Sequence, residues 1–324
     1  MTGRDAGGPP PRASIIVVTR NRSSLLRDCL DALLADTSHI EREIVVVDNA
    51  SDDDTAAVAR AVAAAGPALA VRLVHEPTVG ISPARNRGLA EARGSVLCFV
   101  DDDTRVDDGW ADALTGAFAD PAVGGAGGRI LPVWPGDHPP WMGAIAQQQL
   151  ALRDWGPTTH AMPDAEYPVG ANMAYRRDVL PPGGFDTGLG YRGDLRVPGE
   201  ETHLSDVVRA RWTLLHVGDA RVHHLIAPER VDRAWLRRET LHHGVGVERV
   251  ERRRGVRPRR LPRRAAGLAL TSWRARRATR RADRDPTPDH VDTELETWHW
   301  VGRRVEALVG RWPTLVERTL RRLG

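Results

Sequence analysis

Apolar and polar positions follow one repeating order along the first third of the chain: a short β-branched run, a polar break, then apolar residues at helical spacing. Ser14-Ile15-Ile16-Val17-Val18-Thr19 is the first such run, ending in Arg20-Asn21-Arg22. A continuous apolar stretch this short reads as a strand buried on both faces. Leu25, Leu26, Leu30, Leu33 and Leu34 then recur at helical spacing, with Asn21 or Ser23 placed to cap. Residues 43–47 are the second strand, closing on Asp48-Asn49-Ala50-Ser51, after which Asp52, Asp53 and Asp54 sit where a helix dipole favours negative charge. Gly66-Pro67 stops that helix, and residues 71–75 form a third strand. Ser82-Pro83 opens the next helix, with Ser82 as cap and Gly94 as its close. The fourth apolar run, Ser95 to Val100, goes straight into Asp101, Asp102 and Asp103.

Strand and helix alternating in this way predict an α/β fold with an open, mostly parallel sheet and helices on both faces. Ligands of such sheets bind beyond the carboxyl ends of the strands. The polar residues at those ends are Thr19, Arg20, Asn21, Asp48, Glu76 and Asp101 to Asp103. Three like charges at the end of a buried strand repel one another unless a cation lies among them. Mg²⁺ or Mn²⁺ suits carboxylate oxygens and shares its remaining positions with water and phosphates. The competing reading is a solvated acidic turn that caps the next helix. No G-x-G-x-x-G follows the first strand, and the Gly124-Gly125-Ala126-Gly127-Gly128 cluster lacks that spacing and reads as loop. Phosphates are therefore left to a metal on Asp103 and to arginines such as Arg85. Asp48 suits either a base N–H or ribose hydroxyl, or the cap of the following helix.

Four segments in this order carry a family resemblance: residues 14–22, Ile44-Val45-Val46-Val47-Asp48-Asn49-Ala50-Ser51-Asp52, Ala84-Arg85-Asn86-Arg87-Gly88 and Phe99-Val100-Asp101-Asp102-Asp103. Together they resemble the successive signatures of the family 2 glycosyltransferases over roughly the first 230 residues. The resemblance implies a GT-A fold, a nucleotide-sugar donor, Mn²⁺ or Mg²⁺, and transfer with inversion at the anomeric carbon. On it, Thr19 and Asp48 contact the nucleotide, Asp101 the ribose or nucleotide side, and Asp103 the metal. Arg20, Asn21, Arg85, Asn86 and Asp102 complete the expected donor side.

Beyond Asp103, Asp107-Asp108 is placed to cap a helix from Trp110 to Phe118. The loop Trp134-Pro135-Gly136-Asp137-His138-Pro139-Pro140-Trp141 is too rich in proline for regular structure. Its tryptophans fit an acceptor lid and an anchor to the core equally well. Gly170-Ala171-Asn172-Met173 and Gly183-Gly184-Phe185-Asp186 resemble the family's acceptor-side segment. Glu200-Glu201 opens a helix whose apolar face is Leu204, Val207 and Val208. The family places a Glu-Asp pair there, the second carboxylate being the general base; here that member is Glu201, one methylene longer. Residues 213–217 and 220–222 read as closing strands, with His223-His224 at the end of the second. A histidine at this place completes the family's metal shell, and alternation favours His223.

The resemblance fades from Ala227. Residues 235–250 and 292–308 have helical character, and 252–264 reads as a basic, Pro-broken connector. The expected organisation is a leader at 1–12, a GT-A domain at 13–226 and a helical basic region at 227–324. Arginine interleaved with Trp235, Trp273, Trp298, Trp300 and Trp312 in that last region suits anionic lipid headgroups, an anionic acceptor, nucleic acid, or simply a solvated helical face.

Composition sharpens the choice. All 46 residues of the Lys+Arg total are arginine, and the net charge of +3 conceals carboxylates crowding the first half and arginines the last third. Without lysine, a P-loop and a Schiff base are both excluded. A dehalogenase-type phosphatase, which also opens on an apolar strand and D-x-D, normally needs that lysine too. Cys29 and Cys98 lie in apolar settings without metal-ligand spacing, as expected in a reducing compartment. No window reaches the roughly 20 apolar residues of a membrane span. The expectation is a cytoplasmic transferase, peripheral at most on the inner face of the membrane, that uses a UDP-, GDP- or dTDP-sugar and a hydroxyl acceptor, lipid-linked or small. Nucleic acid is not an expected partner. The alternatives are a sugar nucleotidyltransferase and a non-enzymatic basic module binding nucleic acid or anionic membrane.

Overall fold

A computed structural model describes residues 12–66, 69–192, 195–256, 261–310, 315–316 and 318–320. The expected leader, Arg12 apart, and Trp312 lie outside them. The chain runs β1 (Ala13–Thr19), α1 (Ser23–Ala35), β2 (Arg42–Asp48), α2 (Thr55–Ala64), β3 (Ala70–His75), α3 (Ile81–Glu91), β4 (Val96–Asp101) and β5 (Thr104–Val106). There follow α4 (Trp110–Gly116), β6 (Val123–Val133), α5 (Ala144–Gln149), β7 (His160–Ala161), β8 (Met173–Arg176), the pair β9 (Gly190–Arg192) and β10 (Leu195–Val197), α6 (Glu200–Arg209) and β11 (Thr213–Leu225). Three long helices end it: α7 (Arg233–Arg253), α8 (Leu261–Arg284) and α9 (Pro288–Val309).

The main sheet has the order β3-β2-β1-β4-β8-β6-β11-β5, with β7 on β11. Its first four strands are parallel and in a register that aligns Thr19 with Asp48, and Val18 with Asp101. Strand β8 runs antiparallel between β4 and β6. Period-2 alternation divides the strands between two cores. Ile15, Val17, Val46 and Cys98 face α1, α2 and α4, while Ile16, Val45, Leu97 and Phe99 face α3 and α6.

The glycine cluster at 124–128 is not a loop but the start of β6. Side chains there would strike their neighbours: a Cβ on Gly124 meets Trp212 and Val208, one on Gly125 meets Leu214 and Tyr175, and one on Gly128 meets the Ala220 carbonyl. Local caps also differ from expectation. Ser82 donates to the Leu189 carbonyl at 2.8 Å instead of capping α3, whose N-cap is Gly80. Asp108 accepts from Thr37 N and Oγ1, both at 2.7 Å, and does not cap α4. In each case a partner distant in sequence outcompetes the local hydrogen bond. The segments at 213–217 and 220–222 form one strand, β11, whose register shifts between Val217 and Arg221.

The expected connector at 252–264 is partly helix: α7 extends to Arg253 and α8 begins at Leu261, while 257–260 lie outside the described residues. The C-terminal helices are part of the body. Leu236, Ala282, Val291 and Leu295 join the core beneath β1 and β4, and a third apolar cluster joins α7, α8 and α9 to Leu189 and Val197.

Candidate active site

A cavity of about 950 Å³ opens at the carboxyl ends of the parallel strands, and two acidic groups meet in it. The first comes from β4. Asp102 is 4 % and Asp103 5 % exposed, an expensive burial for two carboxylates unless cations accompany them. Arg22 supplies one, its Nη1 donating to Asp102 Oδ1 and Asp103 Oδ2 at 2.9 Å each. Arg230, just past β11, lies 3.4 Å from Asp103 Oδ2. Burial pushes the Asp102 carboxyl up to about 6 despite Arg22. Burial acts on Asp103 in the same sense, but His224, Arg230 and Arg22 together outweigh it and hold that carboxyl well below its ordinary range.

The second group is presented by α6. Arg85, 4 % exposed on α3, donates from Nη1 to Glu200 Oε1 and from Nη2 to Glu201 Oε1, both at 2.9 Å. Asp101 Oδ1 stands 3.8 Å from the same guanidinium, so Arg85 links the acidic strand end to the acidic helix start. The guanidinium lies over the Phe185 ring at 5.4 Å, and Asn86 fixes Phe185 by paired 2.8 Å bonds to its backbone N–H and carbonyl. Desolvation pushes the carboxyls of Asp101 and Glu201 above their ordinary values, Arg85 opposing the rise in both. A Cβ on Gly170 would collide with Arg85 Nη2 and Glu201 Oε1, so only glycine leaves room for this pair.

Helix α7 braces the turn that presents the glutamates. Gly246 packs so closely on the Pro198 carbonyl that a Cβ would overlap it, and Gly199 adopts φ +129°, which L side chains rarely reach. Arg196 bonds Glu239 of α7 at 2.9 Å, and Arg254 forks onto Asp206 of α6 with two 2.7 Å bonds.

Of the residues singled out from sequence, Thr19, Arg20, Arg85, Asp101, Asp102, Asp103, Glu200 and Glu201 line this cavity. Others serve its walls. Asn21, at φ +53°, accepts from Asp52 N at 2.8 Å and ties the end of β1 to the loop after β2. Asp48 is buried and accepts from Ser51 N at 3.2 Å, and it does not cap the following helix, α2, whose N-cap is Asp54. Its neighbour Asn49 lines the cavity instead, its Nδ2 bonding the Glu76 and Thr78 carbonyls and its Oδ1 accepting from Gly80 N. Asn172 is fully buried: it accepts from Trp110 Nε1 at 3.0 Å and donates to the Arg129 and Ala220 carbonyls. Its acceptor-side placement is thus corrected to a tie between β6, β11 and α4. Trp134 and Trp141 pack against the core and do not line the cavity; Trp155, Tyr167, Tyr191 and Trp235 are its aromatic walls.

The histidine placement is corrected too. His223 Nε2 bonds Asp107 at 2.8 Å, whereas His224, 2 % exposed, turns Nε2 toward Asp103 Oδ1 at 3.4 Å. Alternation runs through Ala220, Val222 and His224 on one buried face, and that face continues into the site because the chain after β11 roofs it. Arg22, Asn49, Gly170 and Arg230 were not singled out from the sequence, and His224 stood there only as the less favoured of two histidines. Arg22 and Asn49 stood inside quoted motifs, but Arg230 carries no local signal.

Among the described residues, no three His, Cys, Asp or Glu side chains form a ready-made metal cage. Asp103 and His224 nonetheless make a carboxylate–imidazole pair suited to an ion that completes its shell with phosphate and water, and the imidazole favours Mn²⁺ over Ca²⁺.

In fold, the chain resembles a mannosyltransferase from Pyrobaculum calidifontis in complex with GDP-Man and Mn²⁺, with TM-score 0.54 and 20 % identity over 97 % of this chain and 79 % of that one. GalNAc-T7 with UDP, GalNAc and Mn²⁺ superposes with TM-score 0.53 and 18 % identity over 75 % of this chain and 51 % of that one. The architecture is therefore GT-A-like, with a helical C-terminal region. The family model for glycosyl transferase family 2 matches residues 14–181, and the chain belongs to that family. Among curated relatives, a glucosyl-dolichyl phosphate glucuronosyltransferase of Haloferax volcanii is 27 % identical over 48 % of this chain and 51 % of its own length. A pre-mycofactocin glycosyltransferase of Mycobacterium tuberculosis is 26 % identical over 74 % of this chain and 48 % of its own. The chain spans about half or less of the length of the curated relatives it matches. No helix among its described residues is long and apolar enough to cross a membrane.

Proposed function

We propose that the protein transfers a sugar, with inversion, from a nucleoside-diphosphate donor to an acceptor hydroxyl, using Glu201 as general base. The observation that carries this is the convergence of the Asp101–Asp103 and Glu200–Glu201 carboxylates on one cavity, bridged by Arg85. The donor's nucleotide would lie along Thr19, Arg20 and Asn49. Arg22 and Arg230 are positioned to exchange their Asp103 contacts for phosphate oxygens as the diphosphate enters. Asp103 and His224 would hold Mn²⁺ or Mg²⁺, which when bound supplies Lewis-acid stabilisation to the leaving diphosphate. Glu201 accepts the acceptor's proton as its oxygen attacks the anomeric carbon. Glu200 is 7 % exposed, is held by Arg85 and accepts from Gly199 N, and so orients the helix start instead of moving protons.

The Pyrobaculum neighbour is in complex with GDP-Man and GalNAc-T7 with UDP, and the Haloferax relative is named for a dolichyl phosphate. They support a GDP- or UDP-sugar donor and a lipid-linked acceptor, and the proposal extends to a dTDP-sugar and a small acceptor. Peripheral contact with anionic membrane through the C-terminal arginines belongs to the same reading. A thermal-shift panel of UDP-, GDP- and dTDP-sugars with and without Mn²⁺ tests it. One nucleotide class is expected to stabilise the protein in a metal-dependent way that EDTA reverses and Asp103→Asn abolishes. Equal shifts in the variant and the parent would sink the assignment.

A further inference from the structure

Helix α8 has two unlike faces. Ala275 and Ala282 are fully buried against the rest of the molecule, while Leu270 and Trp273 are 50 % and 56 % exposed. Positions 270, 273, 274, 277, 281 and 284 follow the spacing i, i+3, i+4, i+7, i+11, i+14 and form a single outward stripe: Leu, Trp, Arg, Arg, Arg, Arg. Arg276 and Arg280 are exposed beside it. The Arg277 guanidinium lies over the Trp273 ring at 5.7 Å.

Elsewhere in the C-terminal helices arginines are spent on buried acids: Arg233 and Arg237 clamp Glu294, and Arg249 and Arg252 clamp Glu306. The α8 stripe is different. Its arginines 274, 281 and 284 have no hydrogen-bond or ion-pair partner among the described residues. The helix's acid at 283 points away from the stripe, 3.1 Å from Arg233. A row of like charges at helical spacing repels itself in water, and a large apolar pair held half-exposed gains nothing there.

We infer that this face docks on an anionic phospholipid surface, with Leu270 and Trp273 entering the headgroup–acyl boundary and Arg274, Arg277, Arg281 and Arg284 pairing with lipid phosphates. Cations in a row complement a surface of fixed negative charge, and an adjacent indole and leucine add the apolar anchorage that charge alone lacks. The inference deepens the membrane contact proposed above and names its surface, and it is separable from the transfer reaction: the stripe shares no residue with the cavity, so lipid binding and donor turnover fail or succeed separately.

The test is co-sedimentation of the full chain with phosphatidylcholine vesicles, with and without phosphatidylglycerol, alongside a single-stranded oligonucleotide. The parent is expected to sediment with the phosphatidylglycerol vesicles only, and to be released by salt. R274Q/R277Q/R281Q and L270A/W273A should each weaken that binding by at least about tenfold while thermal stability and donor hydrolysis are unchanged, since these side chains are exposed and remote from the cavity. Sedimentation that ignores phosphatidylglycerol, or that both variants retain, overturns the inference. So does oligonucleotide capture without vesicle binding, which would assign the stripe to nucleic acid.

Discussion

Glu201 and Arg85 are the residues on which the proposed chemistry turns. Glu201 must be ionised to take a proton, and burial raises its carboxyl above the ordinary 4.5 while Arg85 restrains the rise. The acid limb of kcat/KM is therefore expected above that value, with the rate rising as pH rises through it. Arg85→Gln removes the restraint and should move the limb further up; a limb that stays put would detach Glu201 from the base role. Glu201→Gln should lower kcat by about 10² to 10⁴ while donor-induced thermal stabilisation is retained. Asp101 to Asp103 were legible in sequence because an acidic cluster at the end of an apolar run is costly wherever it folds, and the two glutamates because they open a helix where the family resemblance implies a carboxylate pair. The choice of His224 over His223 was not, since either residue satisfies the local pattern and only the direction of the buried face decides between them.

At the scale of elements, α7 and α9 are locked by charge inside an apolar interface. Glu294 is fully buried and bonded to Arg233 at 2.7 Å and to Arg237 at 3.0 Å. Glu294→Gln leaves Arg237 without its counter-charge and Arg233 with Asp283 alone, and should cost about 3 kcal/mol in urea unfolding, with little change in donor affinity. The same helices carry histidines that burial keeps neutral: burial lowers His242 and His243 to about 4 and His299 to about 3, and His243 and His299 rings lie 5.2 Å apart between α7 and α9. Below their ordinary value of 6.5 the unfolded chain takes up protons that the folded chain refuses. Stability contributed by these groups is thus complete above pH 6.5 and declines as pH falls toward 4. A Tm series over that window, compared with His299→Phe, should show the variant losing less. Helical periodicity revealed α7 and α9, but α8 was obscured by Pro262 and its arginines, because its apolar face is made largely of alanine.

For the whole molecule, the boundary expected after residue 226 divides sequence character more than it divides the body. Leu236, Val291 and Leu295 sit in one cluster with Ile15, Val17 and Val100 of the sheet. A chain ending at Ile226 should therefore expose that cluster and lose its near-ultraviolet circular dichroism, and a well-folded fragment would show the helices to be an independent appendage. From sequence alone came the mostly parallel sheet, the strand ends that form the crevice, the acidic run after the fourth strand and the absence of lysine chemistry, for each depends on local periodicity or composition. The tertiary structure alone decided which cations neutralise Asp103, which histidine faces it, that α7 braces the turn before Glu200, and that a glycine-rich stretch is a central strand. Those outcomes depend on contacts between residues far apart in the chain, where packing and charge pairing outweigh whatever each segment prefers by itself.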